Sequence, residues 1–146
     1  ELVKLLPKEL KATIFTVSPL VALEIAQRST ANVILIGGQL SRDSYLCTGA
    51  AVMSQLYEIR TDICFLGANG LSVKDGLTDF DWEVAQVKKA ILQTADKSVV
   101  LSIAEKLDTA QKMQVCKLNA IDYLITEREP GDAALAKYAK AVKKIM

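Results

Sequence analysis

Short β-branched runs alternate with helically spaced apolar stripes along most of this chain. Leu2, Val3, Leu5 and Leu6 predict a short helix that Pro7 disrupts or ends. Ala12–Val17 reads as a strand. Ser18-Pro19, a capping residue followed by a proline suited to a first helical position, opens a helix to about Arg28. Val33–Ile36 reads as a second buried strand, stopped by Gly37-Gly38. Gly49–Ile59 is expected to be helical, with Val52, Leu56 and Ile59 on one face. Ile63–Leu66 is a third strand, and Asn69–Thr78 reads as a loop with an Asp75-Gly76 turn. The strongest helix, about Asp81–Ala95, carries Val84, Val87, Ile91 and Ala95 at helical spacing. Val99–Ile103 is a strand and Ala104–Lys112 a polar loop. Val115–Leu118 and Ile121–Ile125 read as closing strands. Pro130-Gly131-Asp132 begins a last helix with Leu135, Tyr138, Val142 and Ile145 on one face.

Strands without clean polar alternation imply burial on both faces. The expected class is therefore α/β, a mainly parallel sheet flanked by helices, with ligands at the carboxyl ends of its strands. A length of 146 residues favours one domain. Glu1 falls inside what reads as a helix, so the sequence reads as an N-terminally truncated fragment.

Charge narrows the partners. Lys and Arg number 18 against 17 Asp and Glu, too even for a domain that grips nucleic acid by itself. The chain has no histidine, which removes Ser-His-Asp and Cys-His catalysis and histidine-ligated metals. Cys47, Cys64 and Cys116 are odd in number and widely spaced, a pattern that fits small buried hydrophobes in a reducing cytosol. No membrane-length apolar run and no signal peptide occur, so the expected location is cytoplasmic. No cofactor is implied.

Five strand ends carry candidate chemistry. Ser18 heads a helix whose amides attract anions, or is an ordinary cap. Gly37-Gly38 lets a ligand approach the backbone, with Arg42 as an anion partner, or makes a tight turn. In Gly67-Ala68-Asn69-Gly70, Asn69 offers a donor and an acceptor to a hydroxyl, or sits there for a left-handed turn. Glu83, near a helix start with Lys88 and Lys89 beyond it, faces the same cleft or balances the helix end. Lys106 reaches over the sheet edge to a phosphate or is a solvated loop lysine. Together these residues suit a small anionic, hydroxylated ligand. The motif spacing matches neither a dinucleotide fingerprint nor a P-loop.

The ordered series Val33-Ile34-Leu35-Ile36-Gly37-Gly38, Gly49, Phe65-Leu66-Gly67-Ala68-Asn69-Gly70, Gly76-Leu77-Thr78, Glu83 through Lys88-Lys89-Ala90-Ile91, Lys106, and Ile121–Glu127 resembles the C-terminal sensor domain of the DeoR family. That resemblance implies a fold like ribose-5-phosphate isomerase and CoA-transferases. It implies a sensor, not an enzyme, in a bacterial regulator, a repressor, of carbohydrate genes. Its ligand would be a phosphorylated sugar or related metabolite, held by Ser18, Gly37, Gly38, Arg42, Asn69, Gly70, Glu83 and Lys106. DNA would be bound only through an N-terminal winged helix-turn-helix outside this sequence. A homo-oligomer is expected, with the last helix and the Met53–Tyr57 face as candidate contacts. Against the family pattern, Val17 replaces a polar residue and Ile103 an aspartate, and most of a Gly-Thr-Thr-type loop is missing. The alternative is a sugar-phosphate isomerase-like enzyme on the same fold, with Glu83 as its base. A phosphoacceptor receiver is disfavoured because the strand ends carry Gly, Ser and Asn instead of clustered acids.

Overall fold

Ser18 leaves the first strand in an extended conformation and its side chain accepts the Val21 amide, so the chain turns at once into a helix. These residues belong to a computed structural model that describes residues 1–129 and 131–146. The chain divides into two compact units, Glu1–Glu58 and Ile59–Met146.

In the first unit a 3-10 helix, Leu2–Leu5, precedes β1 (Thr13–Thr16), α1 (Pro19–Arg28) and β2 (Asn32–Leu35). β1 and β2 pair in parallel, Thr13 opposite Asn32 through Thr16 opposite Leu35. A short antiparallel pair follows, β3 (Gln39–Leu40) with β4 (Cys47–Thr48), then α2 (Ala50–Tyr57). The core here is Val17, Ile25, Ile36, Cys47, Val52 and Leu56. The expectation of a buried second strand is corrected. Ile36 is buried, but Ile34 and Leu35 are exposed on a sheet of only two strands.

The second unit is a four-stranded parallel sheet in the order β11-β10-β8-β5, formed by β5 (Thr61–Gly67), β8 (Ala95–Leu101), β10 (Tyr123–Ile125) and β11 (Lys144–Ile145). α3 (Trp82–Thr94) is capped by Asp81, whose carboxylate accepts the Val84 amide. It packs on the sheet through Ala85, with Ile91 and Leu92 against the same core as Leu66, Val100 and Leu124. The α/β class with a parallel sheet flanked by helices is thus what the periodicity predicts.

Two stretches depart from expectation. Asn69–Thr78 is not a loop but a hairpin, β6 (Gly70–Ser72) with β7 (Gly76–Asp79), and β9 (Met113–Cys116) adds antiparallel to β7 instead of closing the main sheet. Its strands are too short to announce themselves, yet Leu71 and Leu77 are completely buried. The last helix is also shorter than its apolar spacing suggests. A 3-10 turn, Ala133–Leu135, leads into α4 (Ala136–Ala139), and the chain then ends as a strand. Lys144 and Met146 donate their amides to Asp122 and Leu124, so β10 claims backbone groups that a longer helix would need. Pro130, expected to open this helix, lies outside the described residues.

Candidate functional site

The carboxyl end of β5 is organised around a buried ion pair. Lys88 lies one turn beyond Val84 on the inward stripe of α3, so its ammonium is carried under the sheet end. There it donates to the Asp79 carboxylate at 2.6 Å and to the Gly67 carbonyl at 2.7 Å. The two side chains are 9% and 0% exposed. Asp79 also accepts the Asn69 side-chain amide at 3.0 Å and the Asp81 backbone amide at 3.2 Å. Burial alone would raise the Asp79 pKa. The Lys88 ammonium and the donated N–H groups outweigh it and hold the carboxyl below its ordinary value.

An ionised carboxylate only accepts, so Asn69 must turn its NH2 toward Asp79. Its Oδ1 is then the end left for another partner. Asn69 is not in the left-handed region; Tyr45 and Asp108 are the non-glycine residues that are. The amide is therefore held by its ion-pair neighbour, and turn tolerance does not explain it. Gln111 donates from its side chain to the Asn69 carbonyl at 3.3 Å and from its backbone to Thr78 Oγ1 at 2.9 Å. Gly70 is sealed on that side: a Cβ there would lie 2.6 Å from Thr78 Oγ1 and 3.2 Å from the Thr109 carbonyl. Asn69 and Gly70 are in this way brought against the turn that follows Lys106.

Lys106 closes a 3-10 turn, Ala104–Lys106, just beyond β8. It is half-buried and forms no ion pair among the described residues. Ile103, where the resemblance leads one to expect an aspartate, is exposed. Glu83 is exposed in the first turn of α3, about 140° around the helix from Lys88 at 100° per residue, and it does not share the buried pair's surroundings.

In the first unit, Ser18 and Gly37 end adjacent parallel strands. Ser18 Oγ is occupied by the Val21 amide at 3.4 Å, and Pro19 has no N–H. Ala22 donates to the Ser18 carbonyl. Leu20 is left as the open first-turn amide among the described residues, a sparse anion site by the standard of four free donors. Val17 is buried, and its carbonyl accepts Cys47 N–H, so the residue that replaces a polar one has become core. The two glycines differ. A Cβ on Gly38 would lie 2.6 Å from both the Thr48 carbonyl and Val52 Cγ2, whereas Gly37 has open space and its carbonyl accepts the Gln55 amide. Gly38 is thus explained by the close approach of α2, and Gly37 is the position open to a ligand. Arg42 is exposed, without an ion-pair partner among the described residues.

Sequence reasoning missed Asp79 altogether and passed over Lys88 as a neighbour of Glu83. One signal was present: Lys88 stands on the stripe Val84, Lys88, Ile91, Ala95, where an apolar residue is expected. Cys47 and Cys64 are buried as expected, and Cys116 is half-buried. Burial pushes the Cys116 thiol up to about 11 and raises that of Cys64, so neither favours thiolate chemistry. Among the described residues no helix is long and apolar enough to cross a membrane.

The HTH-type transcriptional regulator GolR of Listeria innocua is 28% identical over 131 residues, 90% of this chain and 52% of its own length. The HTH-type transcriptional repressor GlcR of Bacillus subtilis is 30% identical over 83% of this chain and 46% of its own. The glycerol-3-phosphate regulon repressor of Haemophilus influenzae is 24% identical over 82% of this chain and 46% of its own. The chain spans about half the length of these curated relatives. They are transcriptional regulators and not enzymes, so the isomerase alternative with Glu83 as base is set aside. A family model described as the DeoR C-terminal sensor domain matches residues 1–128, and the chain belongs to that family.

Proposed function

We propose that this chain is the effector-sensing part of a cytoplasmic transcriptional regulator of carbohydrate genes, and that its effector is a small phosphorylated metabolite. The observation that carries this reading is the half-buried Lys106, free of ion pairs among the described residues, on a turn whose continuation, Thr109–Gln111, packs against Asn69 and Gly70 at the carboxyl ends of parallel strands. Lys106 supplies charge to a phosphate, and Asn69 Oδ1 accepts from a hydroxyl. Gly70 lets the Thr109–Ala110 backbone approach closely. Taken by itself, the first unit offers Ser18, Gly37 and Arg42 at its own strand ends as candidate anion contacts. DNA is contacted by a segment beyond this sequence, and the active regulator is a homo-oligomer. The family assignment and the repressor names of several relatives support the regulatory part.

Titration calorimetry tests the ligand class. The chain is titrated with glycerol 3-phosphate and glucose 6-phosphate, and then with glycerol and glucose. Saturable binding of a phosphorylated compound and none of its parent is the expected result. Equal binding of phosphate ester and parent, or no binding of either pair, counts against the reading.

A further inference from the structure

Residues beyond 128 lie outside the family match, yet one of them reaches the turn that carries Lys106. We propose that Tyr138 is a positioning residue, whose buried hydroxyl latches the Lys106 turn to β6 and α4. This inference rests on the reading of Lys106 as the cation for the effector.

Tyr138 is fully buried in α4 and belongs to the main core. Its hydroxyl oxygen accepts the Asp108 backbone amide at 2.9 Å. Its single proton is shared between the Leu71 carbonyl at 2.9 Å and Asp108 Oδ1 at 2.8 Å. Three segments distant in sequence therefore meet at one oxygen. Burial, then the Asp108 carboxylate, pushes the phenol up to about 12, so it stays protonated and keeps its donor.

Asp108 lies two residues beyond Lys106 and sits in the left-handed region at φ 61, where a non-glycine residue persists only if its surroundings hold it. Tyr138 and the Lys137 ammonium, 2.7 Å from Asp108 Oδ2, do the holding. Thr109 Oγ1 donates to the Lys106 carbonyl at 2.8 Å, and Leu107 bridges in parallel to Leu71. The turn is thus built around the Asp108 contact. Without it, Lys106 would start from a broader ensemble and lose affinity through the cost of ordering.

Tyr138→Phe deletes the hydroxyl and keeps the ring. Hydrogen exchange followed by NMR on the whole chain reads the latch without any ligand. The Asp108 amide is expected to exchange about tenfold faster, the scale of one lost hydrogen bond. Val99, Val100 and Leu124 should stay within about twofold of wild type. An unchanged Asp108 amide, or equal acceleration everywhere, overturns the latch. If Tyr138→Phe does not fold, the wild-type Asp108 amide decides: protection well above that of an open loop amide supports the latch, and exchange at the unprotected rate overturns it.

Binding of glycerol 3-phosphate and glucose 6-phosphate to the wild type, Tyr138→Phe, Lys106→Ala and the double variant gives the second arm. Tyr138→Phe should weaken binding about fivefold and have no further effect once Lys106 is alanine. If Lys106→Ala weakens binding and Tyr138→Phe does not, the latch falls and the effector reading stands. If the wild type binds neither compound, the effector reading falls and hydrogen exchange still decides the latch.

Discussion

Lys88 Nζ lies 2.6 Å from Asp79 Oδ2, and both side chains are withdrawn from solvent. The pair ties the second half of α3's first two turns to the end of the hairpin, and through Gly67 and Asn69 it fixes the strand-end loop. Removing one partner leaves a buried charge, so Lys88→Ala should cost about 3–5 kcal/mol. Replacing both, Asp79→Leu with Lys88→Met, should recover most of that loss. Urea unfolding measures both; a Lys88→Ala loss below about 1 kcal/mol would place the pair on a solvated surface.

Acid should loosen the fold in a definite window. The carboxyls of Asp79, Asp108 and Asp122 are held below their ordinary values by Lys88, Lys137 and Lys143 and by donated N–H and O–H groups. The unfolded chain therefore binds more protons than the folded one. Their stabilisation is complete above about pH 3.9 and is lost as pH falls through the depressed folded values. Urea midpoints should decline as pH drops below about 4. The Asp79→Leu, Lys88→Met variant should decline less steeply, and an identical slope would remove Asp79 from the linkage.

Glycines 37 and 38 should separate cleanly. Gly38→Ala forces a methyl into the Thr48 carbonyl and Val52 and should cost about 1–3 kcal/mol, the usual range for overpacking. Gly37→Ala meets open space and should stay within about 0.5 kcal/mol of wild type. Thermal unfolding of the two variants checks this, and equal losses would contradict the packing account of Gly38.

Much of the framework was legible in the sequence because local signals agreed with tertiary demand. Ser18 and Asp81 cap helices where their chemistry predicts, and β1, β2 and β5 follow the β-branched runs, whereas β8 starts earlier, at Ala95, and β11 lies where a helix was expected. The hairpin was hidden because Gly70–Ser72 and Gly76–Asp79 are too short for alternation to register. The last helix was overextended because Leu135, Tyr138 and Val142 are buried at helical spacing, while β10 decides where the helix stops. At the site, Lys106 and Asn69 were visible as polar residues at strand ends. Asp79 was not, because its role depends on a lysine nine residues away on another element.

Lys106 is the residue we propose as the cation that a phosphorylated effector meets. Calorimetric titration of wild type and Lys106→Ala with glycerol 3-phosphate and glucose 6-phosphate tests it most directly. A charge-assisted hydrogen bond contributes roughly 1.5–3 kcal/mol, so the substitution should weaken binding about 10- to 100-fold. It should leave the unfolding midpoint unchanged, since Lys106 pairs with no carboxylate among the described residues. Binding of either compound with the same affinity in both proteins would contradict the claim and return Lys106 to the role of a surface lysine.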